Sequence, residues 1–208
     1  MTNKNAEVLA GLGTDIRRCV RCPLHESRTQ AVPGEGCPHA PILLVGEAPG
    51  KLEDQQGRPF RGRAGQFLDS LLDRCDLKRS GVFITNSVKC RPPNNRRPRN
   101  DELRTCYSSW LRHQIEIIDP KVIVLLGQIP VWQLLHVNRS LKELHGRFYR
   151  KADRLYQVQY HPAAGMRFPN IRAAMEQDFE KLRRFTYCPR RRGRHKSGKT
   201  DSFKARLP

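Results

Sequence analysis

Ile42-Leu43-Leu44-Val45-Gly46-Glu47-Ala48-Pro49-Gly50 runs four apolar residues straight into a Gly-Glu-Ala-Pro-Gly segment. A continuous apolar run of this length suits a strand covered on both faces, as in a parallel sheet. Val82 to Thr85, Val122 to Leu126 and Leu155 to Tyr160 give similar short apolar, partly β-branched runs. Helical patterns separate and follow them. Ala64 to Cys75 carries Phe67, Leu68, Leu71 and Leu72 on one face, and Asp101 to Ile118 carries Leu103, Cys106, Tyr107, Trp110, Leu111, Ile115 and Ile118 at three-and-four spacing. Gln128 to His136 and Asn170 to Phe185 are two more helix candidates. Strands alternating with helices predict an α/β domain with a mainly parallel sheet. Ligands in such sheets bind beyond the carboxyl ends of the strands. The segments after Val45, Thr85, Leu126 and Tyr160 are therefore where chemistry is expected.

Around this framework the chain is strongly basic. Its 208 residues hold 39 Lys plus Arg against 20 Asp plus Glu, a formal charge of +19. That length fits one domain, spanning 1–185, followed by a stretch of different composition. Residues 186–208 have eight Lys or Arg against one Asp and no apolar periodicity, which reads as a disordered basic tail. No run approaches the roughly 18 apolar residues of a membrane span, and Met1 to Glu7 lacks the order of a signal peptide. A cytoplasmic protein with a polyanionic partner is expected, because each cation that neutralises a phosphate releases a condensed counterion. Nucleic acid is the first candidate for that partner, ahead of a membrane surface.

The strand-end segments are rich in Gly, Pro and polar groups. After Gly50 come Glu53-Asp54 and then Gly57-Arg58-Pro59-Phe60-Arg61-Gly62-Arg63-Ala64-Gly65. Glycine and proline at this density bring backbone close to a ligand, and the carboxylates offer a base or a cation stabiliser. Asn86 closes the second strand; an amide both donates and accepts, which suits a nucleobase edge. His161-Pro162 follows the fourth strand, and a histidine donates to or protonates an oxygen.

Seven cysteines are anomalous in a reducing compartment, which does not maintain disulfides. Cys19 and Cys22 form a Cys-x-x-Cys clamp, Cys90 follows the second strand, and Cys106 lies on the next helix. Four thiolates of this kind suit either zinc or a cubane iron-sulfur cluster, and spacing does not choose between them. Alternatively, Cys106 is a core thiol and Cys90 a chance loop residue. Cys75 reads as core, with Cys37 and Cys188 incidental. Between the third and fourth of these cysteines run Arg91, Arg96, Arg97 and Arg99, preceded by Lys89 and stiffened by Pro92, Pro93 and Pro98, a candidate phosphate clamp.

Taken together, Cys19-x-x-Cys22, Gly46-Glu47-Ala48-Pro49-Gly50 with Glu53-Asp54, Arg58-Pro59-Phe60-x-Gly62-x-Ala64-Gly65, Thr85-Asn86-x-Val88-Lys89-Cys90-Arg91-Pro92-Pro93, Cys106, Leu126-Gly127 and Tyr160-His161-Pro162-Ala163 resemble the family 4 uracil-DNA glycosylases in order and spacing. The resemblance implies a three-layer α/β/α sandwich around a four-stranded parallel sheet. It also implies a structural 4Fe-4S cluster on Cys19, Cys22, Cys90 and Cys106, and hydrolysis of the uracil N-glycosidic bond in single- or double-stranded DNA by a monomer.

Carried onto this sequence, it places Glu47 near the sugar and the uracil C5 edge, and Phe60 against the flipped base. Asn86 would read the uracil edge and His161 would face O2, with Gly46, Ala48 and Gly50 also lining the base site. Arg61, Arg63, Lys89, Arg91, Arg96, Arg97 and Arg167 become DNA contacts, and Met166 or Phe168 a wedge for the vacated stack. Ala48 stands where a better-known branch of the superfamily has a water-activating Asp, and Gly50 where that branch has a bulky Tyr. Glu47 is the first choice to activate water and Glu53 the second. Other readings are a superfamily member that binds uracil-containing DNA or covalently traps the abasic product, a non-catalytic iron-sulfur nucleic-acid binder, and a zinc-stabilised RNA-binding domain.

Overall fold

Six strands make one sheet: β1 (Glu35–Gly36), β2 (Ile42–Gly46), β3 (Phe83–Asn86), β4 (Val122–Leu126), β5 (Phe148–Lys151) and β6 (Arg154–Gln159). They belong to a computed structural model that describes residues 4–185. The basic stretch 186–208 lies outside the described residues. In space the order is β1-β3-β2-β4-β6-β5. The four central strands are mutually parallel, as expected, and the short β1 and β5 add an antiparallel edge on each side. The sheet is thus six-stranded and mixed rather than four-stranded. The two edge strands escape a reading based on apolar runs because their burial is partial and neither holds more than two aromatic residues in sequence, β1 being Glu-Gly and β5 Phe-Tyr-Arg-Lys.

Alternation along the buried strands separates two cores. On one face Ile42, Leu44, Ile84, Val122, Val124 and Leu126 pack on Phe67, Leu68, Leu71 and Leu72 of the Arg63–Arg74 helix and on Met175 and Phe179 of the Pro169–Glu180 helix. On the other, Leu43, Val45, Ile123, Leu125 and Val158 meet Leu111, Ile115 and Ile118 together with Val131, Leu134 and Leu135 of the Gln128–Leu135 helix. The result is a three-layer α/β/α arrangement.

The helix expected over 101–118 is α-helical at Asn100–Cys106 and Arg112–Ile118 with a π turn over Tyr107–Leu111 between them. The extra residue in that turn lets the apolar stripe change neighbours. Trp110 packs beside the cysteines, while Leu111 packs against the sheet. A further helix, Lys4–Arg18, is absent from the sequence reading because only Gly13 and Ile16 are buried on it. It ends one residue before Cys19. Across the centre, Gly46 pairs with Asn86, which aligns the carboxyl ends of β2 and β3. The chain leaves β2 for β3 on one side and returns to β4 on the other, so those ends flank a topological switch point.

Candidate active site

Glu53 organises the loop beyond β2. It sits in the first turn of the Lys51–Gln56 helix, and its Oε2 accepts the Gly50 N–H at 3.1 Å. Its Oε1 accepts the backbone N–H groups of Arg61 at 2.7 Å and Gly62 at 2.9 Å. Both oxygens are thus bound to backbone donors. The carboxylate is therefore a staple holding the Phe60 loop beside the Gly50 loop, which leaves Glu47 as the carboxylate without such backbone duties and Glu53 second to it as a candidate water activator. Asp54, which is buried, performs a parallel task by accepting the N–H of Thr29 at 3.0 Å with both oxygens.

Phe60 sits in the left-handed region, with φ of 51°, and its ring is stacked with that of His161 at 5.8 Å between centroids. Arg79 donates to the Pro59 carbonyl and also pairs with Glu35 at 2.9 Å and Asp69 at 2.6 Å, clamping the segment from behind. Arg79 and Glu35 carry no motif signature, so neither was visible in the sequence. Gly46 is required by close approach. A Cβ there would stand 2.4 Å from Asn86 Oδ1 and 2.7 Å from the Phe60 ring.

Asn86 and His161 face the space this leaves. A cavity of about 170 Å³ is lined by Ala48, Gly50, Glu53, Phe60, Ala64, Asn86 and His161. An adjoining one of similar volume shares Ala48, Gly50 and His161 and adds Glu47 and Arg96. Among the described residues no hydrogen bond engages the Asn86 side-chain amide, although the residue is only 2% exposed. His161 caps the Pro162–Arg167 helix, where its Nδ1 accepts the Ala163 N–H at 3.2 Å. A ring nitrogen that accepts carries no proton, so the neutral ring bears its hydrogen on Nε2. Burial pushes the imidazole pKa down to about 4, with Glu53 acting in part against it. Burial likewise raises the Glu47 carboxyl above its ordinary value, and the Arg97 charge offsets this in part.

The basic residues divide. Arg63, Arg97 and Arg167 are exposed, and Arg61 and Arg91 are half-buried. Lys89 is not a phosphate contact. It is 1% exposed, and its Nζ donates to Thr85 Oγ1 at 2.6 Å and the Asn86 carbonyl at 2.8 Å. Arg96 is partly committed elsewhere, its guanidinium making a two-pronged pair with the buried Glu102 at 2.6 and 2.9 Å, while the residue also lines the cavity beside Glu47. Its end-on fork is thereby occupied. Met166 packs on the apolar core, so the exposed apolar side chain of this segment is Phe168, at 53%.

Cys19, Cys22, Cys90 and Cys106 come together. All four line one small cavity with Ile16, Leu24, Val88 and Trp110. Donors point at the sulfurs: Trp110 Nε1 at Cys19 Sγ (3.2 Å) and Arg28 Nη1 at Cys90 Sγ (2.9 Å). Such donors favour thiolates, the form that binds metal. Without metal charge, burial pushes the Cys106 thiol up to about 12, against the opposing pull of Lys89. The donor set therefore fits a metal-thiolate group. Cys75 is buried in the core, as expected.

A roomier cavity of about 730 Å³ lies at the other end of the sheet, lined by Asp119, Gln133, Lys151 and Arg154 among others. Its size does not make it the reactive site, because none of the strand-end residues reaches it.

A parallel-centred α/β/α fold with a base-sized pocket at its switch point defines a class, and the family comparison agrees: the model described as the Uracil DNA glycosylase superfamily matches residues 33–184, and the chain belongs to that superfamily. Within it, the chain is 44% identical over 186 residues to the type-4 uracil-DNA glycosylase of Sulfurisphaera tokodaii, covering 85% of this chain and 84% of that one. It is 39% identical to the type-4 enzyme of Archaeoglobus fulgidus, covering 85% and 92%. The type-5 uracil-DNA glycosylase of Thermus thermophilus is 40% identical over 119 residues, covering 50% and 53%.

Proposed function

We infer that the chain is a uracil-DNA glycosylase, hydrolysing the uracil N-glycosidic bond in DNA, and that the Phe60–Asn86–His161 pocket holds the base. One observation carries the assignment of the pocket. Among the described residues no hydrogen bond engages the Asn86 amide or the Nε2–H of the neutral His161, and both residues line a single aromatic-walled cavity at the switch point.

Extrusion of the nucleotide costs a few kcal/mol of stacking and pairing. Phe60 recovers part of this by stacking, and Phe168 is the side chain free to fill the gap left in the duplex. A fixed Asn86 amide accepts from uracil N3–H and donates to O4. Cytosine reverses both groups, so the same amide rejects it. As the bond from C1′ to the base nitrogen breaks, its electron pair moves onto uracil and charge builds on O2. The His161 Nε2–H then donates to that oxygen without giving up its proton, because a ring with pKa about 4 is a neutral donor at working pH. The sugar becomes oxocarbenium-like, and Glu47 steadies it and takes the proton of the water that adds to C1′.

The four cysteines are the proposed ligands of a 4Fe-4S cluster, whose contribution is to tie the Cys19–Cys22 segment, the β3 exit and the Cys106 helix together. The donor set supports such a group: four thiols from three chain segments line one cavity, the ligand complement that a cubane takes. Iron and sulfide analysis of the purified protein separates it from zinc.

The test is release of uracil from strands bearing it unpaired, opposite adenine and opposite guanine, followed by heating in denaturant. Free uracil and free abasic DNA are expected; a heat-stable adduct would establish trapping instead, and unchanged DNA a binding role. Glu47→Gln should lower kcat at least about 100-fold, the scale of a lost general base, with KM little changed. The acid limb of the wild-type profile should lie above the ordinary carboxylate value, since the raised Glu47 must ionise to act, and should vanish in the variant.

A further inference from the structure

Lys89 is a long cationic side chain enclosed in the protein, which is costly unless every donor is engaged and a counter-charge is near. Its ammonium reaches two neutral acceptors, Thr85 Oγ1 at 2.6 Å and the Asn86 carbonyl at 2.8 Å. Thr85 Oγ1 in turn donates to the Pro33 carbonyl at 2.9 Å, and Gln114 Nε2 donates to the same carbonyl at 2.7 Å. Lys89 also lines the small cavity shared by Cys19, Cys22, Cys90 and Cys106. Its backbone is engaged as well, the carbonyl accepting the Val32 N–H at 2.7 Å.

One residue therefore touches both the backbone of Asn86 and the cysteine centre. A hydrogen bond to the Asn86 carbonyl fixes the peptide plane after Asn86, and with it the direction in which the side-chain amide leaves the strand. Among the described residues no hydrogen bond holds the amide itself, so the backbone sets its direction. We propose that Lys89 is a positioning residue that aims the Asn86 amide at the base and anchors that aim to the four-cysteine centre. This rests on the reading of Asn86 as the uracil-recognising group. It also accounts for a lysine buried inside an otherwise basic loop, where phosphate contact would have required exposure.

The test uses the full chain carrying its cluster, with two single-stranded probes: one with a 2′-fluorinated deoxyuridine that resists cleavage, one with a tetrahydrofuran abasic analogue. Lys89→Met should cut the affinity preference for the uracil probe at least about ten-fold, the value of one misdirected hydrogen bond. Binding of the abasic probe, the iron content and the thermal midpoint should stay close to wild type. A role in general stability would lower both affinities together.

Thr85→Val removes the second anchor of the ammonium and should move the preference in the same direction, whereas Thr85→Ser should restore it. This pair decides the matter should Lys89→Met fail to fold. An unchanged preference in folded Lys89→Met, or in Thr85→Val, overturns the role of Lys89. A wild type with no preference for the uracil probe overturns the reading of Asn86 itself.

Discussion

His161→Ala is expected to lower kcat by about 100- to 1000-fold, the usual cost of removing one preorganised donor to a developing oxyanion. The geometry makes the size of that loss specific to one hydrogen. Nδ1 is occupied as the acceptor of the Ala163 N–H, so the only proton on the neutral ring is on Nε2, inside the pocket. Removing the ring also removes the helix cap, worth about 1 kcal/mol of stability. His161→Asn keeps a capping oxygen while losing the donor at that reach. The two variants should be nearly equal in kcat and differ in thermal midpoint.

The pH dependence has a definite sign. The folded-state pKa of about 4 lies below the ordinary histidine value, so between about 4 and 6.5 the unfolded chain binds the proton more readily. The stability contributed by the buried neutral ring is present above 6.5 and is lost as pH falls through the folded value. Activity should show no inflection near 6.5. A histidine NMR titration with an ordinary midpoint at His161 would remove the neutral-donor mechanism.

Much of this site is legible in the chain because the chemistry lies at strand ends, and strand ends are marked by where apolar runs stop. Gly46, Asn86 and His161 each follow such a run directly, and the sheet then brings them within one cavity. The cysteines are legible for a related reason, since a Cys-x-x-Cys pair needs only two distant partners to complete it. What the chain does not reveal is which charges are spent internally. Lys89, Arg96 and Glu53 read as surface or catalytic groups because their residue types usually are. Their partners are a backbone carbonyl, a buried Glu102 and three backbone N–H groups, none of which has a sequence signature. The edge strands and the Lys4–Arg18 helix are missed because each is short or lightly buried: β1 has two residues, Phe148 and Tyr149 of β5 are only partly covered, and the helix buries Gly13 and Ile16 alone.

Gly65→Ala should be the most damaging single methyl group that can be added near the pocket. Gly65 lies in the first turn of the Arg63–Arg74 helix with its Cα against the Phe60 backbone, and a Cβ there would fall 1.8 Å from the Phe60 carbonyl oxygen and 2.2 Å from its carbon. Neither atom is the end of a flexible side chain, so the clash is relieved only by moving the loop. That loop is held in place from three sides: by Glu53 through the Arg61 and Gly62 N–H groups, by Arg79 through the Pro59 carbonyl, and by the left-handed φ of Phe60 itself. A left-handed aromatic residue stores about 1–3 kcal/mol of strain, which persists only while its surroundings over-determine it. Overpacking of this kind costs about 1–3 kcal/mol, which for a domain of this size lowers the thermal midpoint by roughly 2–10 °C.

The catalytic loss should exceed the stability loss. Displacing Phe60 breaks its stack with His161 and reshapes the wall against which the base rests, so kcat/KM is expected to fall at least about 100-fold, as for a misplacement of about 1 Å. Gly62→Ala is the comparison, because its Cβ would meet only Glu53 Oε1, at 3.6 Å, and its φ is ordinary for any residue. Kinetics and thermal melts of the two variants side by side separate the effects. If Gly65→Ala keeps wild-type kcat/KM, Phe60 does not need its observed position, and the stacking platform for the flipped base lies elsewhere.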